Sequence, residues 1–422
     1  MSEMKVEIIS RETIKPSSPT PHHLTNFLLS SPDQFSPPVY IPIFLFYSAP
    51  VDCNIERRDR LKKSLSFTLT RFYPLAGKIK DCMSVDCNDD GAEYFEAQVS
   101  GTELSDVLGQ PKVDVLKQLL PGEPNSTLTE VLLAIQVNIF DCGGLAIAVC
   151  ISHKIADATS LATFVGSWSA MARGATDEIV SPSFELASLF PPRDLSGFMP
   201  LPTAWNTKDK IVTKRFVFEA SKIAALRATC TCVKCPTRVE ALSAFIWRRF
   251  LALVGDQGEV VHVLAHIVNI RGRMDPPLPE HSFGNVWLAT VGILLPGRKS
   301  EDMELEGVVR DAIRRIDGEY VRKLQEGDEY MKNVIRMCEE STKGEVVNLA
   351  FSSWCKFPFY QVDFGWGKPT WVSSITLPFK NAVLFMDTKS GDGIEAWVNL
   401  LEKDMAEFER DQELLQFATP EC

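Results

Sequence analysis

Across 422 residues, no apolar stretch approaches the ~18–20 consecutive residues that a membrane-spanning helix needs. The richest run, Val39 to Tyr47, is nine residues long and is broken by Pro42. Basic residues are the minority, 44 Lys and Arg against 55 Asp and Glu, for a formal net charge of -11. Nucleic-acid binding needs a basic field to displace counterions, so that partner class is excluded. An anionic small molecule would have to be met by a local Lys/Arg cluster rather than by long-range steering. The first thirty residues interleave charges with Pro16, Pro19 and Pro21 and hold no apolar core of a secretory signal. The eleven cysteines are an odd count, which fits reduced thiols in the cytoplasm better than a disulfide framework. There is no Walker A loop, dinucleotide fingerprint, H-E-x-x-H or G-x-S-x-G elbow. The usual signatures of nucleotide hydrolysis, nicotinamide redox chemistry, zinc peptidases and serine hydrolases are therefore missing.

What is present reads as a globular α/β chain: 45% hydrophobic and 23% charged residues, long enough for two or three domains. Ile55, Leu61, Leu65, Leu69 and Phe72 keep helical spacing and must stop before Pro74. Ser84–Asn88 and Glu93–Val99 flank Asp89-Asp90-Gly91, a hairpin signal. Val131–Phe140 and Leu145–Ser152 flank Cys142-Gly143-Gly144 as a second hairpin, and a helix follows from about Asp157 to Arg173. Between Ser181 and Lys210 prolines accumulate and regularity fails, marking a linker. Beyond it the pattern predicts strands at 213–218, 260–270 and 285–295 and a helix at 237–253. Helices over about 302–325 and 327–341, strands near 371–377, 381–388 and 394–400, and a last helix ending near Phe417 complete the chain.

Two motifs carry chemistry. In His153-Lys154-Ile155-Ala156-Asp157, the histidine closes an apolar strand and the aspartate opens a helix. Imidazole is the side chain best matched to taking a proton near neutrality. The bland alternative is a solvated histidine beside a helix cap, and six histidines make H-x-x-x-D attainable by chance. Asp363-Phe364-Gly365-Trp366-Gly367 is more specific, an acid followed by two glycines bracketing a tryptophan. Its bland reading is a tight turn with aromatics plugging a core.

Together these motifs resemble the signature of the plant BAHD acyltransferases, which use coenzyme A thioesters. The resemblance runs along the whole chain, through Ile14–Pro21, Phe72-Tyr73-Pro74-Leu75-Ala76-Gly77, Val85–Asp89, Pro236–Glu240, Asn269-Ile270-Arg271 and Ser353-Trp354-Cys355. Within the family the chain is most similar to the branch of vinorine synthase and the alkaloid and terpenoid O-acetyltransferases. Ser152 and Ala158 stand where the commonest family pattern has histidine and glycine.

The resemblance implies an α/β fold of two chloramphenicol-acetyltransferase-like domains, each a mixed sheet plus helices, with a channel between them. The boundaries expected are 1–180, a crossover at 181–210, and 211–422, with a segment near 364–388 returning to the N-terminal sheet. The activity implied is O-acetyl transfer from acetyl-CoA, a co-substrate and not a resident cofactor, to a small-molecule alcohol. The expected protein is a cytoplasmic monomer without metal, nucleic acid or membrane partner. His153 would be the general base and Asp157 would pair with Arg271. Asp363 is often counted with the active residues, and Phe364, Gly365, Trp366 and Gly367 would support the site. Ser373 and Ser374 are candidate contacts for the co-substrate or the oxyanion. The alternatives are a non-catalytic metabolite-binding protein of the same fold and a transferase of a larger acyl group.

A zinc reading would join Cys230, Cys232 and Cys235 to His262 and His266. The histidines lie in a β-branched run, where four residues span ~13 Å, too far apart for one ion. A hydrolase reading lacks a nucleophile, because Cys150 sits in an apolar strand where thiols are inert. We predict that the purified chain carries no stoichiometric metal and that EDTA or mild reductant leaves initial rates unchanged. About one zinc per chain by elemental analysis, with activity lost on chelation, would refute this.

Overall fold

The computed structural model describes residues 4–48, 55–122, 131–195, 210–230, 233–255, 260–295, 304–326, 332, 346–375 and 379–421. In chain order the strands are β1 (Lys5–Ile14), β2 (Asn26–Leu28), β3 (Tyr40–Tyr47), β4 (Lys78–Ile79), β5 (Ser84–Asp86), β6 (Ala92–Ser100), β7 (Leu133–Phe140) and β8 (Leu145–Ser152). They continue with β9 (Ile211–Phe218), β10 (Val261–Asn269), β11 (Trp287–Leu294), β12 (Val346–Ser353), β13 (Trp371–Ser373), β14 (Ala382–Asp387), β15 (Ile394–Leu401) and β16 (Thr419–Glu421). The chain divides into two compact units, and the first takes in 279–286 and 357–377 besides the residues up to 198. No helix among the described residues is long and apolar enough to cross a membrane.

In the first unit a six-stranded mixed sheet runs β1-β6-β7-β8-β3-β13. The adjacent strands β8 and β3 are buried at every position, which explains their unbroken apolar sequences. The hairpin expected around Cys142-Gly143-Gly144 is β7–β8, with Ile139 opposite Leu145. The helices Ile55–Arg71 and Ala158–Arg173 pack together here. Trp168 Nε1 donates to Leu61 O at 3.2 Å and Ser64 Oγ at 3.1 Å, and Phe72 meets Phe164 edge-on at 5.4 Å.

β13 enters this sheet from far along the chain, antiparallel to β3, with Ser373 opposite Phe44. The ladder stops there because Pro42, two residues on, has no N–H to offer. Ser374 Oγ instead donates to the Pro42 carbonyl at 2.7 Å.

One expectation is corrected. Asp89-Asp90-Gly91 does not close a hairpin: β5 pairs with β2 and β4 in a small three-stranded sheet, whereas β6 pairs with β1 and β7. The turn is held by tertiary bonds, since the Asp89 carboxylate accepts from Thr20 N at 2.8 Å and Thr20 Oγ1 at 2.7 Å.

The second unit holds a seven-stranded sheet, β11-β10-β12-β14-β15-β9-β16, with β10, β12 and β14 parallel. The helices Arg238–Val254 and Leu305–Arg315 cover one face, packing Leu242, Phe245 and Ile246 against Leu264, Leu349, Phe351 and Phe385. A Thr237/Glu240 capping box starts the first of these helices. The expected 302–325 helix is two, Leu305–Arg315 and Gly318–Glu326, because Asp317 Oδ1 accepts from Tyr320 N at 2.8 Å and restarts it. The last helix is likewise split, Glu402–Phe408 and Gln412–Phe417, with Asp411 capping the second. The helix expected over 327–341 lies outside the described residues save Lys332, as do 196–209 of the linker and the end of the 371–377 strand. Sequence periodicity does not announce β1 or β12.

Candidate functional site

Buried strand β8 ends at Ser152, and His153 is the first residue beyond it. Its main-chain N–H donates to Val39 O at 2.8 Å, continuing the pairing with β3. Four residues later Asp157 has left the strand and caps the helix Ala158–Arg173, its Oδ1 accepting from Ser160 N at 2.8 Å. The loop between is thus held by a strand at one end and a helix at the other.

A second segment of the same unit, Gly284–Val286, closes on this loop. Asn285 Nδ2 donates to the His153 carbonyl at 2.7 Å, and Val286 N donates to Asp157 Oδ2 at 3.1 Å. Ser160 Oγ bonds both the carbonyl and the N–H of Gly284 at 3.0 Å. Gly284 has φ +130°, and a Cβ there would lie 2.7 Å from Leu186 Cδ2, so only glycine suits the position. Asn285 is itself held by Asp33, whose Oδ1 accepts from Asn285 N at 2.8 Å and Nδ2 at 2.9 Å. Lys154 turns toward the same region, its ammonium donating to Gln34 O at 2.6 Å and Ser36 O at 2.9 Å.

The electrostatics follow from burial. Loss of solvent holds the His153 imidazole below its usual 6.5, while the charge of Asp157 and the Asn285 hydrogen bond oppose that shift. Burial also brings Lys154 down to about 8 and pushes Asp33 up. Burial thus favours the uncharged form of the His153 imidazole.

The structure does not bring Asp363 to His153. Asp363 Oδ1 accepts from three successive amides, Gly365 N at 2.7 Å, Trp366 N at 3.1 Å and Gly367 N at 2.9 Å. Gly365 and Gly367 take φ values of +100° and +102°, which is why the motif needs both glycines. The turn sits at the far end of the Ala158–Arg173 helix: Arg173 Nη1 donates to Asp363 O at 2.9 Å, and Phe364 packs edge-on against Trp168 at 4.7 Å. A 16-residue helix spans roughly 24 Å, which sets the separation from Asp157. Trp366 stacks on Phe364 at 5.5 Å, with Arg57 and Arg60 over its ring.

Ser373 and Ser374 lie at the β13 end of the sheet, buried, each hydroxyl donating to a main-chain carbonyl. Arg271 belongs to the second unit, buried in the turn after β10, with its N–H on Asn269 Oδ1 at 3.0 Å. His262 and His266 lie on β10 as the spacing implies, and burial brings His266 to about 4. Cys230 Sγ donates to Leu226 O at 3.3 Å, Cys235 is an exposed thiol, Cys232 lies outside the described residues, and no metal-holding group of side chains occurs among the described residues. Sequence reasoning missed Asn285, Gly284, Asp33 and Ser160. Nothing local marks them except the glycine that ends an apolar pattern.

A profile of the Transferase family matches residues 4–415. Stemmadenine O-acetyltransferase of Catharanthus roseus is 41% identical over 96% of this chain and 97% of its own length. Limonoid 21-O-acetyltransferase of Melia azedarach is 42% identical over 99% of both chains. The crystal structure of vinorine synthase superposes with a TM-score of 0.84 at 37% identity, covering 98% of each chain.

All three amides of the Asp363 turn share one oxygen, so asparagine can replace the acceptor and alanine cannot. Asp363→Ala should cost about 1–3 kcal/mol in a denaturant melt, whereas Asp363→Asn should stay near wild type in melt and turnover. A more than ~100-fold fall in kcat for a normally melting Asp363→Asn would make Asp363 a participant in the chemistry.

Proposed function

We propose, on the premise that this chain belongs to the BAHD acyltransferases of the Transferase family, that it transfers an acetyl group from acetyl-CoA to a hydroxyl of an alkaloid or terpenoid-type specialised metabolite. The observation that carries the reading is a neutral imidazole fixed at the exit of a buried strand. Relatives named as O-acetyltransferases of stemmadenine and limonoids, matched over nearly their full lengths, support the donor and the acceptor class. The reading extends to a cytoplasmic monomer of two acyltransferase domains, for which the odd cysteine count and the family resemblance speak.

In this mechanism the acceptor hydroxyl attacks the thioester carbonyl while His153, within ~2.6–3.2 Å, takes its proton. A tetrahedral oxyanion forms, then collapses with cleavage of the C–S bond. The departing thiolate takes the proton back from the imidazolium, giving ester and free CoA. The thioester is already activated, so no covalent intermediate on the protein is needed. Asp157 holds the loop rather than the substrate, and we assign it Arg271 as counter-charge. The resemblance to the family is what supports that pairing.

His153→Ala should fold normally and lose more than ~10²-fold in kcat. Because burial lowers the imidazole pKa, wild-type kcat/KM should decline toward low pH with a midpoint below 6.5. A decline centred above 6.5 would contradict the assignment. Asp157→Ala should lose stability, ~3–5 kcal/mol, together with turnover. Wild-type rate and stability in Asp157→Asn would refute the pairing with Arg271. Acetyl-, malonyl- and benzoyl-CoA offered against alkaloid and triterpenoid alcohols, read by product mass and free thiol, test the substrate assignment. No ester from any pair, or an acyl group other than acetyl, would overturn it.

A further inference from the structure

His153 is held by its main chain at two points, and only one of them is a regular sheet bond. Its N–H continues the β3 pairing, but its carbonyl leaves the sheet and is met by the side chain of Asn285. Asn285 is fully buried, and so nearly is Asp33, at 2% exposure. The two amide hydrogens of Asn285 go to two acceptors, Asp33 Oδ1 at 2.9 Å and the His153 carbonyl at 2.7 Å. A flipped amide would set its oxygen against a carboxylate and a carbonyl, so one orientation is imposed. Asp33 is in turn oriented by Ser30, whose N–H and Oγ donate at 3.0 Å and 2.6 Å. Among the described residues, the donors on the Asp33 carboxylate are groups of Ser30 and Asn285. The arrangement is a chain, Ser30 to Asp33 to Asn285 to the carbonyl of His153. It joins segments 252 and 132 residues apart.

We propose that Asn285 and Asp33 are positioning residues for the transfer: Asn285 holds the His153 main chain so that the imidazole meets the acceptor hydroxyl, and Asp33 holds Asn285. This rests on the reading of His153 as the general base. Neither residue touches the reacting atoms in this scheme. Misplacement of a catalytic group by about 1 Å can cost ~10²-fold, so the chain's contribution belongs in kcat. Asn285 has a second effect with a sign of its own, because its side chain favours the charged imidazole. The other charged groups of the first unit about this loop are Asp157, Lys154 and Asp33; Asn285→Ala keeps all three but takes one hydrogen bond from the Asp33 carboxylate.

The test compares Asn285→Ala, the double variant Asp33→Asn/Asn285→Ala, and His153→Ala in the full chain. Asn285→Ala strands a buried carboxylate and is expected to melt low; the double variant removes that charge and should recover much of the melt. Turnover is read with acetyl-CoA and the acceptor found by the panel, and His153 is titrated by NMR of ¹³C-labelled histidine, which needs no acceptor. The expected result is kcat down by about 100-fold in both Asn285 variants, with KM for acetyl-CoA little changed and the His153 titration moved to lower pH. A double variant that regains both the melt and wild-type kcat would reduce the chain to a structural role and overturn the proposal. So would an unmoved His153 titration in a folded Asn285→Ala. Full turnover in His153→Ala would instead defeat the base assignment itself, an outcome distinct from either.

Discussion

The carboxylate of Asp157 is divided between two parts of the chain, and the order of the site depends on that division. One oxygen caps the helix that follows; the other accepts from Val286, 129 residues away. A helix cap alone is satisfied by serine or threonine as well as by aspartate. The second oxygen is what those residues lack, and it fastens the loop carrying His153 to a segment that would otherwise have no reason to lie there. Burial makes the arrangement demanding. Each polar group removed from water must find its partner, so loss of one member leaves others stranded.

The helix Ala158–Arg173 extends this constraint across the first unit. At its start it is fixed by Asp157 and Ser160; at its end Trp168 and Arg173 carry the Asp363 turn. Two motifs 206 residues apart in number are therefore opposite ends of one rigid element. A change in the turn can reach His153 by tilting the helix, and that route gives the turn influence over turnover without chemistry. Strand β13, a few residues further on, ties the same segment to β3, the neighbour of β8. The returning chain is thus sewn to both supports of the His153 loop.

His153, Asp157 and the Asp363 turn were legible in the sequence because each is a local event. An apolar strand that stops at a histidine, an acid at the start of a helical pattern, and two glycines forced to positive φ are visible within a few residues. The β7–β8 hairpin and the helix before Pro74 were legible for the same reason. Asn285 and Asp33 were not, since their meaning lies in bonds across 132 and 252 residues. The Asp89-Asp90-Gly91 signal misled in a related way: its turn geometry is real, but the flanking strands find partners in different sheets. β1 escaped notice because it is an exposed edge, without the alternation that half-burial imprints.

With His153 as the proposed general base, the clamp also resolves a conflict. Burial favours the neutral imidazole, the form that accepts a proton, but the same burial makes the protonated ring costly. A ring lowered too far would remain unprotonated while the hydroxyl attacked and would transfer little. Asp157 and Asn285 both favour the charged ring, returning basicity that desolvation removes. They do so from fixed positions, so no reorganisation is required as the proton arrives. The residues that hold the loop are therefore the ones that set how basic it is. Geometry and proton affinity cannot be altered independently at this site.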